Sequence, residues 1–234
     1  MLKLDNINLS YGEVQALWDV SLQVEEGSIV ALLGANAAGK TSTINAISGL
    51  FDTSSGKIEF QGKDITKFSP NDIVNEGIIQ VPEGRKLFDY MTIQENLELG
   101  AYGKRARKNL KKNLRMVYDM FPILEERKNN LGGEMSGGQQ QMCAIGRGLM
   151  SEPKLLIIDE LSLGLAPILV QDLMKSLVGI KESGITILLV EQNVNLSLDI
   201  ADYAFVLENG TVTLEGTAKD LLNDPYLKKA YLGI

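Results

Sequence analysis

Histidine is absent from the 234 residues of this chain, and cysteine occurs only once. Without imidazole there is no histidine-ligated metal site, no histidine-based catalytic triad and no histidine general base. The single Cys143 excludes a disulfide bond within the chain and is typical of a protein kept in a reducing cytosol. Any chemistry must therefore use carboxylates, lysine, hydroxyls, amides and backbone groups.

Long hydrophobic runs are missing as well. The longest ones, Ile29–Leu33 and Ile185–Val190, are far shorter than the roughly 20 residues that a membrane-spanning helix requires. Asp5 stands where a secretory signal would need apolar residues, so we expect no signal peptide. The formal net charge of −7 argues against general binding of DNA or RNA, and we expect no nucleic-acid partner.

The apolar residues that are present change from one periodicity to another along the chain. Continuous apolar runs predict buried strands at Ile29–Leu33, Ile78–Val81, Leu155–Ile158 and Ile185–Val190, and Ile168–Ile180 has the spacing of a helix. Strands that alternate with helices favour a mostly parallel sheet covered on both faces. The predicted fold class is α/β.

Two β regions have a different, antiparallel character. Alternation of apolar and polar residues in Leu2–Leu9 and Val20–Val24, with Lys57–Gln61 following, predicts an N-terminal antiparallel sheet. Near the end of the chain, Phe205–Leu207 and Val212–Leu214 predict a short hairpin, after which a helix follows. The sequence therefore predicts an antiparallel β subdomain beside the parallel core.

The middle of the chain lacks strand patterns. From about Thr92 to Met150 apolar residues recur at helical spacing, which predicts a helical insertion. We therefore predict one domain over residues 1–234. Residues 1–91 and 151–234 would form the core with its β subdomain, and residues 92–150 the inserted helical subdomain.

A glycine-rich segment follows the first buried strand and fits the pattern G-x-x-x-x-G-K-[ST] of phosphate-binding loops. Its glycines let successive backbone N–H groups turn toward phosphate oxygens, and the helix predicted over Lys40–Ser48 adds the positive end of its dipole. Lys40 would reach the β and γ phosphates of ATP, and the Thr41 hydroxyl would hold Mg²⁺. The predicted nucleotide-binding residues here are Gly34, Ala35, Asn36, Ala37, Ala38, Gly39, Lys40, Thr41 and Ser42.

Two acidic residues follow another buried strand, Leu155–Ile158. The carboxyl ends of strands in an open α/β sheet are where ligands bind, so Asp159 and Glu160 should lie near the phosphate-binding loop. Asp159 would hold Mg²⁺ through water, and Glu160 would accept a proton from the attacking water as general base.

Met135-Ser136-Gly137-Gly138-Gln139 closely resembles the Leu-Ser-Gly-Gly-Gln signature of ABC ATPases, and it lies between the loop and the acidic pair as in that family. Ser136 also suits the N-cap of a helix over Gln139–Leu149. In the family this helix start points at the γ-phosphate of ATP held by a second subunit. The resemblance therefore implies that Ser136, Gly138 and Gln139 bind nucleotide across a dimer.

The resemblance extends over essentially the whole chain and implies a P-loop NTPase core. Tyr11 matches the aromatic residue that stacks on adenine in the family. Two ATPase subunits, alike or different, would enclose two ATP molecules with Mg²⁺. They would lie peripherally on the cytoplasmic face of the membrane and drive integral membrane transporter subunits.

Three local matches point to a subgroup of this family. Val81–Arg85, Ser162–Pro167 and Val190–Asn193 look like the corresponding segments of the branched-chain amino-acid uptake group. The chain is most similar to the second of that transporter's two ATPase subunits. The resemblance implies uptake of branched-chain amino acids.

Three positions depart from the general family pattern. Glu83 occupies the place of a Mg²⁺-contacting Gln, with Gln80 as the alternative, and Ala166 replaces an Asp of the loop after Glu160. Gln192 replaces the histidine that contacts the γ-phosphate in most members of the family. It is expected to make this contact through its side-chain amide. A non-transport ABC ATPase, or a clamp that binds ATP and hydrolyses it slowly, remains the alternative function.

Overall fold

The computed structural model describes residues 1–232. Its strands are β1 (Leu2–Tyr11), β2 (Val14–Val24), β3 (Ile29–Leu33), β4 (Ser55–Phe60), β5 (Lys63–Asp64), β6 (Ile78–Val81), β7 (Leu155–Asp159), β8 (Thr186–Glu191), β9 (Tyr203–Glu208) and β10 (Thr211–Thr217). Its α-helices are α1 (Lys40–Ile47), α2 (Pro70–Glu76), α3 (Ile93–Gly100), α4 (Lys104–Lys108), α5 (Leu110–Met120), α6 (Pro122–Glu126), α7 (Gly137–Leu149), α8 (Pro167–Glu182), α9 (Val194–Leu198), α10 (Ala218–Asn223) and α11 (Pro225–Leu227). No helix of this range is long and apolar enough to cross a membrane.

The central sheet has the strand order β10-β9-β3-β8-β7-β6. All neighbouring pairs except β9 and β10 are parallel, so the expectation of a mostly parallel sheet is confirmed. The strands β3, β7 and β8 are buried along their whole length, as continuous apolar runs require. Their carboxyl ends meet at one edge of the sheet. Asp159 and Glu191, which end β7 and β8, therefore lie at the edge where β3 enters the glycine-rich segment.

The N-terminal sheet has the order β2-β1-β4-β5 and is antiparallel throughout, as predicted. The predicted start of its second strand at Val20 is wrong, because β2 begins at Val14, which pairs with Tyr11 across a tight turn. The alternation of apolar and polar residues in β2 is interrupted, because the register between β1 and β2 is irregular and Asp19 has a φ of +45°. A bulge shifts the apolar positions and so masks the period of two.

The stretch from Thr92 to Met150 is helical, as its apolar spacing indicates. Thr92 begins α3 with a capping box in which Glu95 takes part. In α5 the apolar stripe points inward, and Val117 is fully buried. These helices share one hydrophobic core with β6, β7, β8 and α8, and Cys143 of α7 is buried within it.

The other face of the central sheet packs against α1 and the N-terminal sheet, where Phe60 and Ile44 belong to one core. The C-terminal hairpin of β9 and β10 is longer than predicted and turns at Asn209 and Gly210. The Gly210 N–H donates to the Ala38 carbonyl at 2.9 Å, and the Gly210 carbonyl accepts from the Trp18 N–H at 2.8 Å. This turn therefore joins the glycine-rich segment to β2.

Candidate functional site: a phosphate-binding cleft

The glycine-rich segment lies between β3 and α1, and two of its glycines are required by its geometry. Gly39, the residue before α1, has a φ of +108°, a conformation that side chains disfavour. At Gly34 a Cβ would collide with the carbonyl oxygen of Leu207 in β9. The segment can therefore turn tightly against the hairpin only if these two positions lack side chains.

The first turn of α1 has no side-chain cap. By contrast, α7 is capped by Ser136, whose hydroxyl accepts from the Gln139 N–H. An uncapped helix start leaves its backbone N–H groups available for a ligand and carries partial positive charge. At α1 these donors lie beside a glycine-rich turn and a lysine, which together suit a phosphate group.

Lys40 is almost completely buried, with 5% of its surface exposed. Its ammonium donates to the carbonyls of Gly34 at 2.8 Å and Ala35 at 3.1 Å, and lies 3.1 Å from a carboxylate oxygen of Glu160. Lys40 and Glu160, both of which the sequence predicts to act on the nucleotide, thus form an ion pair with each other.

Asp159 is buried at the end of β7 with 4% of its surface exposed. Burial, together with the negative charges of Glu160 and Glu83, raises the pKa of this carboxyl group to about 6, although the positive charge of Lys40 lowers it. Glu160 has a φ of +50°, and its N–H donates to the Val190 carbonyl at 2.9 Å. The edge of the sheet therefore concentrates negative charge that a cation would stabilise.

A cavity of about 480 Å³ opens over this edge. It brings together many of the side chains that the sequence assigns to nucleotide binding or hydrolysis. The lining residues named in that prediction are Asn36, Ala37, Ala38, Gly39, Lys40, Thr41, Ser42, Glu83, Glu160 and Gln192. Glu83 and Gln80 are the two candidates for the Mg²⁺-contacting position. Glu83 lines the cavity, whereas Gln80 accepts a hydrogen bond from the Ser48 hydroxyl at the end of α1.

Other predicted residues lie outside this cavity. Tyr11 is linked to the cavity only through Ser42, because its hydroxyl donates to the Ser42 hydroxyl at 3.2 Å. Its ring packs edge-on against the Phe51 ring, with the two ring centroids 4.8 Å apart. Neither Gly34 nor Ala35 lines it, although both carbonyls bind Lys40. Asp159 is buried and does not line the cavity.

The signature residues Ser136, Gly138 and Gln139 do not line the cavity either. Ser136 begins α7 in a capping box, since its N–H also donates to the Gln139 side chain at 3.2 Å. The predicted N-cap is therefore confirmed, although the helix starts at Gly137 and not at Gln139. In the described part of the chain, the signature residues therefore lie outside the cavity that the phosphate-binding loop lines.

The residues at the cavity suit Mg²⁺ only together with a nucleotide. In the described part of the chain, no three acidic, histidine or cysteine side chains converge on a point that could hold a metal ion alone. Mg²⁺ typically takes one or two protein oxygen ligands and completes its shell with phosphates and water. The Thr41 hydroxyl and the nearby carboxylates match that donor set.

Some residues of this region were not anticipated from the sequence. Val14, Gln15 and Ala16 of β2, and Asn209 and Gly210 of the hairpin turn, also line the cavity. They come from distant parts of the chain, so no local pattern indicates their position. Glu191 was missed as well, although it ends an apolar strand in the same way as Asp159.

A glycine-rich turn, an uncapped helix start, a buried lysine and clustered acids at the carboxyl edge of a parallel sheet define a P-loop nucleotide-binding protein. The family model described as "ABC transporter" matches residues 17–162. The chain therefore belongs to the ABC transporter family of ATP-binding proteins.

Three known proteins illustrate the similarity. The high-affinity branched-chain amino acid transport ATP-binding protein BraG of Pseudomonas aeruginosa is 43% identical over 233 residues and covers all of both chains. A solved ATP-binding cassette of an ABC transporter in its ADP conformation is 30% identical, with a TM-score of 0.87, over 100% of this chain and 99% of that one. A dimeric cassette in a post-hydrolysis state, bound to ADP and Pi, is 26% identical, with a TM-score of 0.80, over 93% and 99% of the two chains.

Proposed function

We propose that this protein is the ATP-binding and ATP-hydrolysing subunit of a membrane ABC transporter. The observation that carries the proposal is the cavity that unites the phosphate-binding loop, Glu160 and Gln192. The transporter's cargo would be branched-chain amino acids taken up by the cell. BraG, whose name states that cargo, supports this part, together with the local sequence matches named above.

ATP would rearrange the ion pair between Lys40 and Glu160. The γ-phosphate carries more negative charge than one carboxylate, so it attracts the Lys40 ammonium away from its present partners. Glu160 would then be free to accept a proton from water. The water oxygen attacks the γ-phosphorus, the bond to the bridging oxygen breaks, and ADP and phosphate are formed.

Mg²⁺ would neutralise charge on the β and γ phosphates when it is bound between the nucleotide, Thr41, Asp159 and Glu83. The position of Glu83 on the cavity wall supports it over Gln80 as the third group. Gln192, on the same wall, would donate a neutral hydrogen bond to the γ-phosphate. Tyr11 would hold the adenine once its ring leaves Phe51.

The site would be completed by a second ATPase subunit, alike or different. Ser136, Gly138 and Gln139 lie outside the cavity of their own chain, which suits residues that contact ATP on a partner. The solved dimeric cassette supports this arrangement. Residues 92–150 would move as a helical subdomain and transmit closure to integral membrane subunits, with the dimer placed on the cytoplasmic face of the membrane.

The test is ATP turnover by the purified protein with Mg²⁺, comparing native chain with Lys40→Ala. Removing the buried ammonium should reduce turnover by at least 100-fold, a loss on the order of 3 kcal/mol in transition-state stabilisation. Equal rates for the two proteins would refute the assignment. Co-purification with membrane subunits, followed by ATPase assays with leucine or an unrelated solute, would test the cargo.

The slow clamp is the second candidate function, and it is favoured by Gln192 and Ala166, which replace an imidazole and a carboxylate of the general pattern. A clamp would bind ATP as tightly as a transporter ATPase does. ATP would, however, dissociate from the clamp faster than it is hydrolysed. Single-turnover measurements, in which ATP dissociation and hydrolysis are timed separately, distinguish the two functions.

A further inference from the structure

Glu191 is the last residue of β8 and is completely buried. It pairs in register with Leu33, the last residue of β3, so it lies at the functional edge of the sheet. It does not line the cavity. A buried carboxylate is costly unless hydrogen bonds replace its water, so its partners indicate what it does.

Both carboxylate oxygens of Glu191 are used. Oε1 accepts from the Ser162 N–H at 2.8 Å, and Oε2 accepts from the Ser162 hydroxyl at 2.8 Å and from the Gln192 N–H at 3.3 Å. Ser162 lies two residues after Glu160, and Gln192 follows Glu191 directly. One side chain therefore binds both segments that carry the hydrolytic groups.

A second contact joins the same two segments, since the Glu160 N–H donates to the Val190 carbonyl at 2.9 Å. This backbone bond fixes where the Glu160 main chain begins its turn, at a φ of +50°. The Glu191 carboxylate then fixes where the turn continues. Together they leave the Glu160 backbone little freedom to rotate.

Stability alone does not account for a carboxylate at this place. Buried charged groups can often be replaced by apolar side chains of similar size without loss of stability. A carboxylate that accepts a main-chain N–H and a hydroxyl of the same residue, by contrast, sets the direction of that residue. The arrangement suits control of geometry.

We infer that Glu191 is a positioning residue for ATP hydrolysis, which holds the loop after Glu160 and the Gln192 segment in one fixed arrangement. It acts through these neighbours and does not touch the nucleotide. The inference rests on the proposed function, because it assigns Glu191 to the hydrolytic step. Phosphate binding by the glycine-rich loop does not depend on it.

The first test compares Glu191→Gln with the native protein. Glutamine keeps the size of the side chain but replaces one acceptor oxygen by a donor, so it cannot accept from all three groups. We expect kcat to fall about tenfold through misplacement of the catalytic groups, while KM and the Kd for ATP change less than about twofold. Asp202→Asn is the control for replacing a carboxylate that accepts from a strand N–H, here that of Ile29 at 2.8 Å, although Asp202 is more exposed and also pairs with Lys181. It lies at the opposite end of β3, so its replacement should leave kcat unchanged.

A second readout does not depend on turnover. In Glu191→Ala, hydrogen exchange of the peptides that contain residues 160–166 and 190–193 should accelerate, because the Ser162 and Gln192 N–H groups lose their acceptor. Exchange in α5, which is remote from Glu191, should not change. Ser162→Ala should lower kcat as well, and combining it with Glu191→Gln should add little, since both changes break the same contact.

Native kcat in Glu191→Gln would overturn the inference, and so would unchanged exchange in Glu191→Ala. So would parallel losses of kcat, ATP affinity and thermal stability in Glu191→Gln, because these indicate general damage to the fold. If the native protein hydrolysed no ATP, the proposed function and this assignment would both fail. If the native protein and Glu191→Gln hydrolyse ATP at the same rate, the inference fails but the proposed function stands.

Discussion

Ala37, within the phosphate-binding loop, has a φ of +64°. For an L-residue other than glycine this left-handed conformation costs about 1–2 kcal/mol, and the exposed Ala37 methyl group gains no burial in return. Glycine removes that strain, but its greater conformational entropy in the unfolded state destabilises the folded protein by about 0.5–1 kcal/mol. We therefore expect Ala37→Gly to stabilise the protein by about 0.5–1 kcal/mol, which for a chain of this size raises Tm by about 1–4 °C.

Ala38→Gly is the matched control for this prediction. Ala38 is the next residue, is 6% exposed, and packs in the core between α1 and the N-terminal sheet. Its φ is not positive, so glycine there relieves no strain and should cost about 1 kcal/mol. Thermal and urea unfolding of nucleotide-free protein would compare the three chains. An Ala37→Gly variant that is less stable than the native protein would refute the strain argument.

Two further predictions concern hydrolysis. Glu160→Gln should bind ATP, lose turnover and form a stable dimer, because both nucleotides stay intact; light scattering that shows only monomer at saturating ATP contradicts this. Gln192→Ala should slow turnover with little change in ATP affinity, since one neutral hydrogen bond is worth about 1 kcal/mol. Gln192→His should add to the pH profile a titration near pH 6.5 that native protein lacks, measured at saturating Mg²⁺. A profile unchanged by Gln192→His, with Gln192→Ala fully active, would place Gln192 away from the γ-phosphate.

The sequence predicted best what depends on local pattern. The bounds of β3 and β6 are as expected, because a strand buried on both faces is a continuous apolar run between turn residues. The phosphate-binding loop was equally visible, since its pattern and its position between strand and helix are both local. The helical character of the central insertion also follows from apolar spacing, although the bounds of its separate helices do not.

Features set by distant contacts were harder to predict. The start of β2 at Val14 is hidden by the irregular register around Asp19. The hairpin turn at Gly210 gives no local sign that it binds Ala38 and lines the cavity. Glu191 resembles many charged residues that end a strand, and only the fold places its carboxylate against Ser162.

The proposed dimer places each ATP between the phosphate-binding loop of one chain and the signature of another. Lys40→Ala and Ser136→Arg should each be inactive alone, although Ser136→Arg should still bind ATP as a monomer. A mixed dimer of the two variants contains one intact site, formed by Lys40 of one chain and Ser136 of the other.

Mixing equal amounts of the two inactive variants therefore tests the claim directly. If the chains pair at random, half of the dimers are mixed and each has one working site, so turnover should recover to about a quarter of the native rate. A mixture as inactive as its two components, under conditions where native protein dimerises, would contradict the shared site.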